Sequence, residues 1–115
     1  MFKLIWLEES SKVYQELLNA AHDSLERREK IKKTKSSKTE GLFKQIHKAL
    51  SFLEINPKHP GLQTHEYFSL SNPYDPTQKV FEAYAQNQTP GAYRIFWCYG
   101  PNKNEITIIS IIPHP

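Results

Sequence analysis

The stretch EITIISII, from Glu105 to Ile112, constrains the chain more than any other feature, because five of its eight residues are isoleucine and six are β-branched. Branching at Cβ stiffens χ1 and suits a pleated strand. A strand that is apolar without interruption has no face to offer water, so it is expected in the interior of a sheet with both faces covered. The rest of the chain must therefore supply neighbouring strands and a covering layer. Pro113 and Pro115 lack an N–H, so ladder pairing is expected to end there.

The residues upstream supply both. Going backwards from the Gly100-Pro101-Asn102-Lys103 turn, short β-type runs lie at Ala92 to Tyr99, Lys79 to Ala85 and, more weakly, His65 to Leu70. They are divided by turn-rich segments, SNPYDPTQ and Gln86 to Gly91. Before Pro57 the apolar period changes. Leu42, Phe43, Ile46, Ala49, Leu50 and Leu53 recur at helical spacing, as do Val13, Leu17, Ala20 or Ala21, and Leu25. The first helix is expected from the Glu8-Glu9-Ser10-Ser11 cluster to about Thr34. The polar segment KKTKSSKTEG reads as a loop, and Asn56-Pro57 ends the second helix. Phe2 to Leu7 is short and apolar and reads as an opening strand. The expected fold class is α+β: an N-terminal strand, a two-helix hairpin, then an antiparallel meander forming one sheet. A length of 115 residues suits one such domain over residues 1–115.

Composition excludes several functions. No apolar run approaches the roughly 20 residues of a spanning helix, and MFKLIWLEES lacks the basic start and cleavage site of a signal peptide. No membrane role and a cytoplasmic location are expected. Cys98 is the one cysteine, with no partner for a disulfide or a zinc site, and its IFWCYG context reads as a small packed hydrophobe. The five histidines show no HExxH or Cys/His spacing and read as lone surface residues, so no metal is expected. The four glycines are isolated, which argues against a phosphate-cradling loop and against a nucleotide cofactor.

Charge is distributed unevenly. Arg27, Arg28, Lys30, Lys32, Lys33, Lys35 and Lys38 face only Glu29 within their segment, although the whole chain carries just +3. Such a cluster is either a footprint for an anionic partner such as RNA or a solvated helix end and loop. A second charge is more pointed. Alternation along Ala92 to Tyr99 puts Arg94, Phe96 and Cys98 on one face, with Tyr93, Ile95, Trp97 and Tyr99 on the other. A guanidinium on a largely apolar strand needs a partner or a ligand, because burying it alone is costly. Either Glu82 on the adjacent strand pairs with it, or it binds an anion. His114 follows the last strand and can exchange a proton near neutral pH.

The order of elements, with FKLIWLEES at the start, Asn56-Pro57 after the second helix, and AYRIFWCYG followed by ITIISIIPH, resembles the RelE/ParE superfamily of bacterial toxins from toxin-antitoxin pairs. The start looks like the YoeB branch. The resemblance implies that Tyr93-Arg94 matches a Tyr-Arg pair whose arginine contacts mRNA phosphate, and that His114 matches the general acid. Where RelE carries a lysine pair before Tyr-Arg, this chain has Glu82 and Tyr84. The YoeB glutamate base has no direct match, and His59, His65 and Glu66 stand nearby. The function implied is a metal-free, ribosome-associated mRNA endoribonuclease, with His65 or Glu82 as base, Arg94 as phosphate clamp, His114 as acid and the Arg27 to Lys38 cluster on rRNA. The alternative is a non-catalytic binding module, either a ParE-like inhibitor of a protein target or an inactive RelE relative. A cognate antitoxin partner is implied by both.

Overall fold

A computed structural model describes residues 1–32, 35–87 and 90–113. The elements run β1 (Lys3–Trp6), α1 (Glu8–Lys30), α2 (Lys38–Ile55), a 3₁₀ turn (Pro60–Leu62), β2 (His65–Glu66), β3 (Phe81–Tyr84), β4 (Tyr93–Tyr99) and β5 (Glu105–Pro113). They form an α+β fold whose five strands lie in one sheet of order β1-β5-β4-β3-β2. Strands β2 to β5 form the expected antiparallel meander, and β1 adds to the far side of β5 in parallel. The sheet is thus mixed, because the helical hairpin carries the chain from β1 back across one face before the meander begins. No helix among the described residues is long and apolar enough to cross a membrane.

β5 lies inside the sheet, as its composition demands, and one irregularity lets it alternate. Phe96 pairs with Ser110 while Trp97 pairs with Ile108, so Ile109 is an extra residue at a bulge. Without that shift the period of two that sends Ile106 and Ile108 into the core would send Ser110 after them. With it, Ile111 takes the inward place and Ser110 turns outward.

The core lies between this face and the hairpin. Ile46, Ala49, Leu50 and Leu53 of α2 meet Ala83, Ile95, Trp97, Ile106, Ile108 and Ile111, with Val13, Tyr14 and Leu17 of α1 packed against the cluster. Ser10 ties the start of α1 to the sheet: its hydroxyl accepts from the Leu7 N–H at 3.1 Å and donates to the Ile108 carbonyl at 2.7 Å. At about 1.5 Å per residue α1 is roughly 35 Å long, so the hairpin projects beyond the sheet and stretches the molecule to 52 × 26 × 24 Å.

The opposite face of the sheet is covered by the segment from Tyr67 to Lys79. Tyr67 packs on Phe96 with ring centroids 4.6 Å apart, and the Tyr74 hydroxyl lies 2.8 Å from Thr107 Oγ1. Asn72, almost fully buried, bridges the segment by accepting from the Tyr74 N–H and donating to the Lys79 carbonyl. Cys98 is sealed beneath this cover, and burial pushes its thiol up to about 11. It is the packed hydrophobe its context suggested.

Several boundaries differ from expectation. α1 stops at Lys30, because Lys32 turns into the left-handed region at φ 56° and breaks the helical path. The segment read as a loop up to Gly41 contains the first turn of α2, where Ser37 and Glu40 form a reciprocal capping box. β2 is two residues long instead of extending to Leu70: the last backbone bond to the β3 side runs from the Tyr67 N–H to the Val80 carbonyl at 2.8 Å. β3 begins at Phe81, two residues later than expected.

Candidate functional site: an acid-base pair on the outer face of the sheet

The covered face carries a polar row that the alternation of β3 and β4 puts in place. Glu82 and Tyr84 point away from the Ala83 side, as do Arg94 and Phe96 away from Ile95, and the register sets Glu82 opposite Phe96 and Tyr84 opposite Arg94. β2 then aligns His65 with Glu82. Three of the residues singled out from sequence, His65, Glu82 and Arg94, are therefore brought together.

His65 Nε2 lies 2.6 Å from Glu82 Oε1, and His65 Nδ1 lies 3.0 Å from the Gln63 carbonyl oxygen. A carbonyl can only accept, so Nδ1 carries a hydrogen. The 2.6 Å contact then requires a proton between Nε2 and Oε1, on one atom or the other, since two lone pairs would repel. The pair is a protonated imidazole on a carboxylate, or a neutral imidazole on a carboxylic acid. In both forms it holds one transferable proton. The His65 side chain is 46% exposed and that of Glu82 only 5%, so the pair joins solvent to the interior.

Arg94 stands behind the pair. Its Nη1 donates to the Gln86 carbonyl at 3.0 Å and lies 3.3 Å from the Ala92 carbonyl, while its guanidinium carbon sits 3.8 Å over the Tyr84 ring. Tyr84 also meets His65 edge-on at 5.6 Å. Arg94 Nε is 4.0 Å from Glu82 Oε2, close enough to attract the carboxylate but too far for a hydrogen bond. Both of those atoms are buried without a hydrogen-bond partner among the described residues. Glu82 is thus the neighbour of Arg94 that sequence alternation suggested, and the guanidinium is also engaged by backbone carbonyls and a ring.

The remaining candidates fall elsewhere. His114 lies outside the described residues. Its strand ends with Pro113 opposite Tyr93. Of the basic cluster, Arg27, Lys30, Lys32, Lys35 and Lys38 are exposed near the hairpin turn, and Lys33 lies outside the described residues. Arg28 differs from its neighbours because it is spent on Glu40: Nη2 donates to Oε1 at 2.7 Å, and Nε reaches both carboxylate oxygens at 3.2 Å. The Arg28 guanidinium, helped by the Ser37 N–H, pulls the Glu40 carboxyl down to about 2. That contact removes Arg28 from the residues free to meet RNA. One group among the described residues, His22, Asp23 and Glu26, brings three metal-ligating atoms within 4.8 Å of one another on the exposed face of α1. It is the outcome of i, i+1, i+4 spacing on a helix.

Sequence reasoning missed three contributors. Tyr84 was visible, since it follows Glu82 at the strand period, but its ring was not assigned to Arg94. The capping signal Ser37-x-x-Glu40 was present and marks the partner of Arg28. The carbonyls of Gln63 and Gln86 have no signal in residue type.

No protein-family model matches the chain, and no curated protein matches its sequence. Among solved structures the chain is similar to a copper-bound single-substitution mutant of a toxin from Helicobacter pylori, at 14% identity and a TM-score of 0.51, over 99% of this chain and 96% of that one. At that identity the likeness speaks to the fold.

Proposed function

We propose that residues 1–115 form one RelE/ParE-like domain that acts as the toxin of a toxin-antitoxin pair and cleaves RNA without a metal, with ribosome-bound mRNA as substrate. Support comes from the element order and from the shared fold with a Helicobacter pylori toxin. The observation that carries the chemistry is the 2.6 Å contact between His65 Nε2 and Glu82 Oε1, open to solvent on one side and backed by a buried arginine on the other.

RNA cleavage of this type has the 2′-oxygen attack the adjacent phosphorus while the 5′-oxygen leaves, giving a 2′,3′-cyclic phosphate and a free 5′-hydroxyl. It needs a proton acceptor for the 2′-hydroxyl, positive charge for the phosphorane and a donor for the leaving oxygen. In its unloaded state the His65–Glu82 pair takes the 2′-hydroxyl proton, and the arrangement described above is the loaded state that follows. Arg94 supplies positive potential from beneath, and His114 returns a proton to the leaving oxygen. A cognate antitoxin would block this face or its approach.

A second reading is favoured by one observation: Arg94 is already engaged by the Gln86 and Ala92 carbonyls and by Tyr84. An arginine so occupied suits a non-catalytic binding module. Inducing the chain in bacteria and mapping mRNA ends separates the two. Growth arrest with new mRNA ends bearing 5′-hydroxyls is expected. Arrest with intact mRNA would replace the ribonuclease reading with the binding module, and no arrest would indicate an inactive relative.

A further inference from the structure

A cavity of about 440 Å³ opens at the β2 edge of the sheet, lined among others by Lys58, His59, Gln63, His65, Glu66 and Phe81; alternation turns Glu66 to the Phe81 side of the strand, and His65 to the Glu82 side. That volume lies in the range of small-molecule sites, roughly 300–1,000 Å³. We infer that it holds one nucleotide of the RNA, with phosphate against Lys58 and His59 and the base edge against Glu66, and that it prefers guanine.

The wall of the cavity is preorganised. The Lys58 N–H donates to Asn56 Oδ1 at 3.0 Å, the Thr64 hydroxyl donates to the Pro57 carbonyl at 2.9 Å, and the Gln63 N–H donates to the Pro60 carbonyl at 3.2 Å. His59 stacks on Phe52 with centroids 3.9 Å apart and planes 11° apart. Its Nδ1 accepts the Gly61 N–H at 2.9 Å, so Nδ1 carries no hydrogen and the neutral ring presents Nε2–H as a donor. The stack depends on Gly61, where a Cβ would come within 3.1 Å of both the His59 and Phe52 rings.

Charge points to a ligand of mixed character. Lys58 and Glu66 line the same cavity, and neither side chain forms an ion pair with another described residue. A phosphate satisfies the lysine and the His59 donor, while a base offering N–H groups satisfies the glutamate. Guanine is the base whose Watson–Crick edge presents two parallel donors, N1–H and N2–H, to the two oxygens of a carboxylate. Cytosine and adenine present one amino group there, and uracil one imide N–H.

The inference deepens the ribonuclease reading and takes its RNA context from it, but its test needs no cleavage. Guanosine, adenosine, cytidine and uridine 5′-monophosphates are titrated into the full chain and followed by two-dimensional NMR. The guanine nucleotide is expected to bind about tenfold more tightly than the uracil nucleotide, moving the resonances of Lys58 to Glu66. Glu66→Gln should remove most of that preference, and Lys58→Ala should weaken all four nucleotides by a similar factor. Equal binding of all four, no change of preference in Glu66→Gln, or shifts confined to other surfaces would overturn the inference. Nucleotide binding at this cavity without RNA cleavage would support the subsite while overturning the ribonuclease reading.

Discussion

Two carboxylates, each buried and each facing an arginine, behave differently in this molecule. Glu40, at the base of α2, accepts from both arms of Arg28 and from the Ser37 N–H, with the Ser24 hydroxyl 3.2 Å away. Its lone pairs are filled and its charge is locked in place. Glu82, on the sheet, has His65 at one oxygen and leaves the other 4.0 Å from an arginine that bonds backbone carbonyls instead. Filled valence makes Glu40 a clasp that closes the helical hairpin. The unfilled oxygen leaves Glu82 able to take a new partner, which is what chemistry requires. An Arg–Glu pair is thus uninformative until the remaining lone pairs have been counted.

The largest expected effect comes from cutting the sheet pair. Arg94→Ala should destabilise the fold by about 3–5 kcal/mol, because a buried Glu82 loses its positive neighbour, and the melting temperature should fall by more than about 10 °C. A thermal shift of only a degree or two would show that Arg94 is held for function alone. It would also bring the Glu82 site closer to a free active site than the comparison allows.

His65→Ala should separate chemistry from stability in the opposite sense. The substitution removes the 2.6 Å partner of a buried carboxylate, so the melting temperature should fall by several degrees, but the larger loss should be in RNA cleavage, slowed by about 10² to 10⁴ if the pair is the proton acceptor. Cleavage by the purified variant on ribosome-bound mRNA, measured beside its melting curve, decides this. Unchanged cleavage would make Glu82 as structural as Glu40.

The hairpin clasp should show itself in acid. The folded Glu40 carboxyl sits at about 2 against an ordinary value of 4.5, so the folded chain binds its proton more weakly than the unfolded chain. The contribution to stability is complete above pH 4.5 and is lost as pH falls from about 4.5 to 2. Urea denaturation across that window should show a decline that is weaker in Glu40→Gln. Arg28→Ala should lower the melting temperature by several degrees near neutral pH and remove the same acid dependence. A decline of unchanged size in both variants would mean that other carboxyls govern it.

The smallest effect concerns the exposed cations around the clasp. Replacing Lys30 and Lys35 with Ala should leave the melting temperature within about a degree, yet flatten the salt dependence of RNA binding. Arg28→Ala should change that slope much less, because its guanidinium already faces Glu40. Equal slopes for both variants would contradict the assignment of Arg28 to the clasp.

Much of this architecture was legible in residue order. The β-branched run from Ile106 to Ile112 demanded a covered strand inside a sheet, and the 3.6-residue spacing of Ile46, Ala49, Leu50 and Leu53 demanded a helix laid across it. Alternation put Arg94, Phe96 and Cys98 on one face of their strand, because side chains in a strand point to opposite faces whatever surrounds them, and the register with β3 set Glu82 on that same face. Register and packing decided the rest. The bulge at Ile109 exchanges Ile111 for Ser110 in the core, β1 joins β5 in parallel, and β2 is only two residues long. The proton between His65 and Glu82 depends on where the Gln63 carbonyl points, and the occupancy of Arg94 on where that of Gln86 points. Every residue carries the same carbonyl, so its direction is set by the path of the chain and only the tertiary structure could decide it.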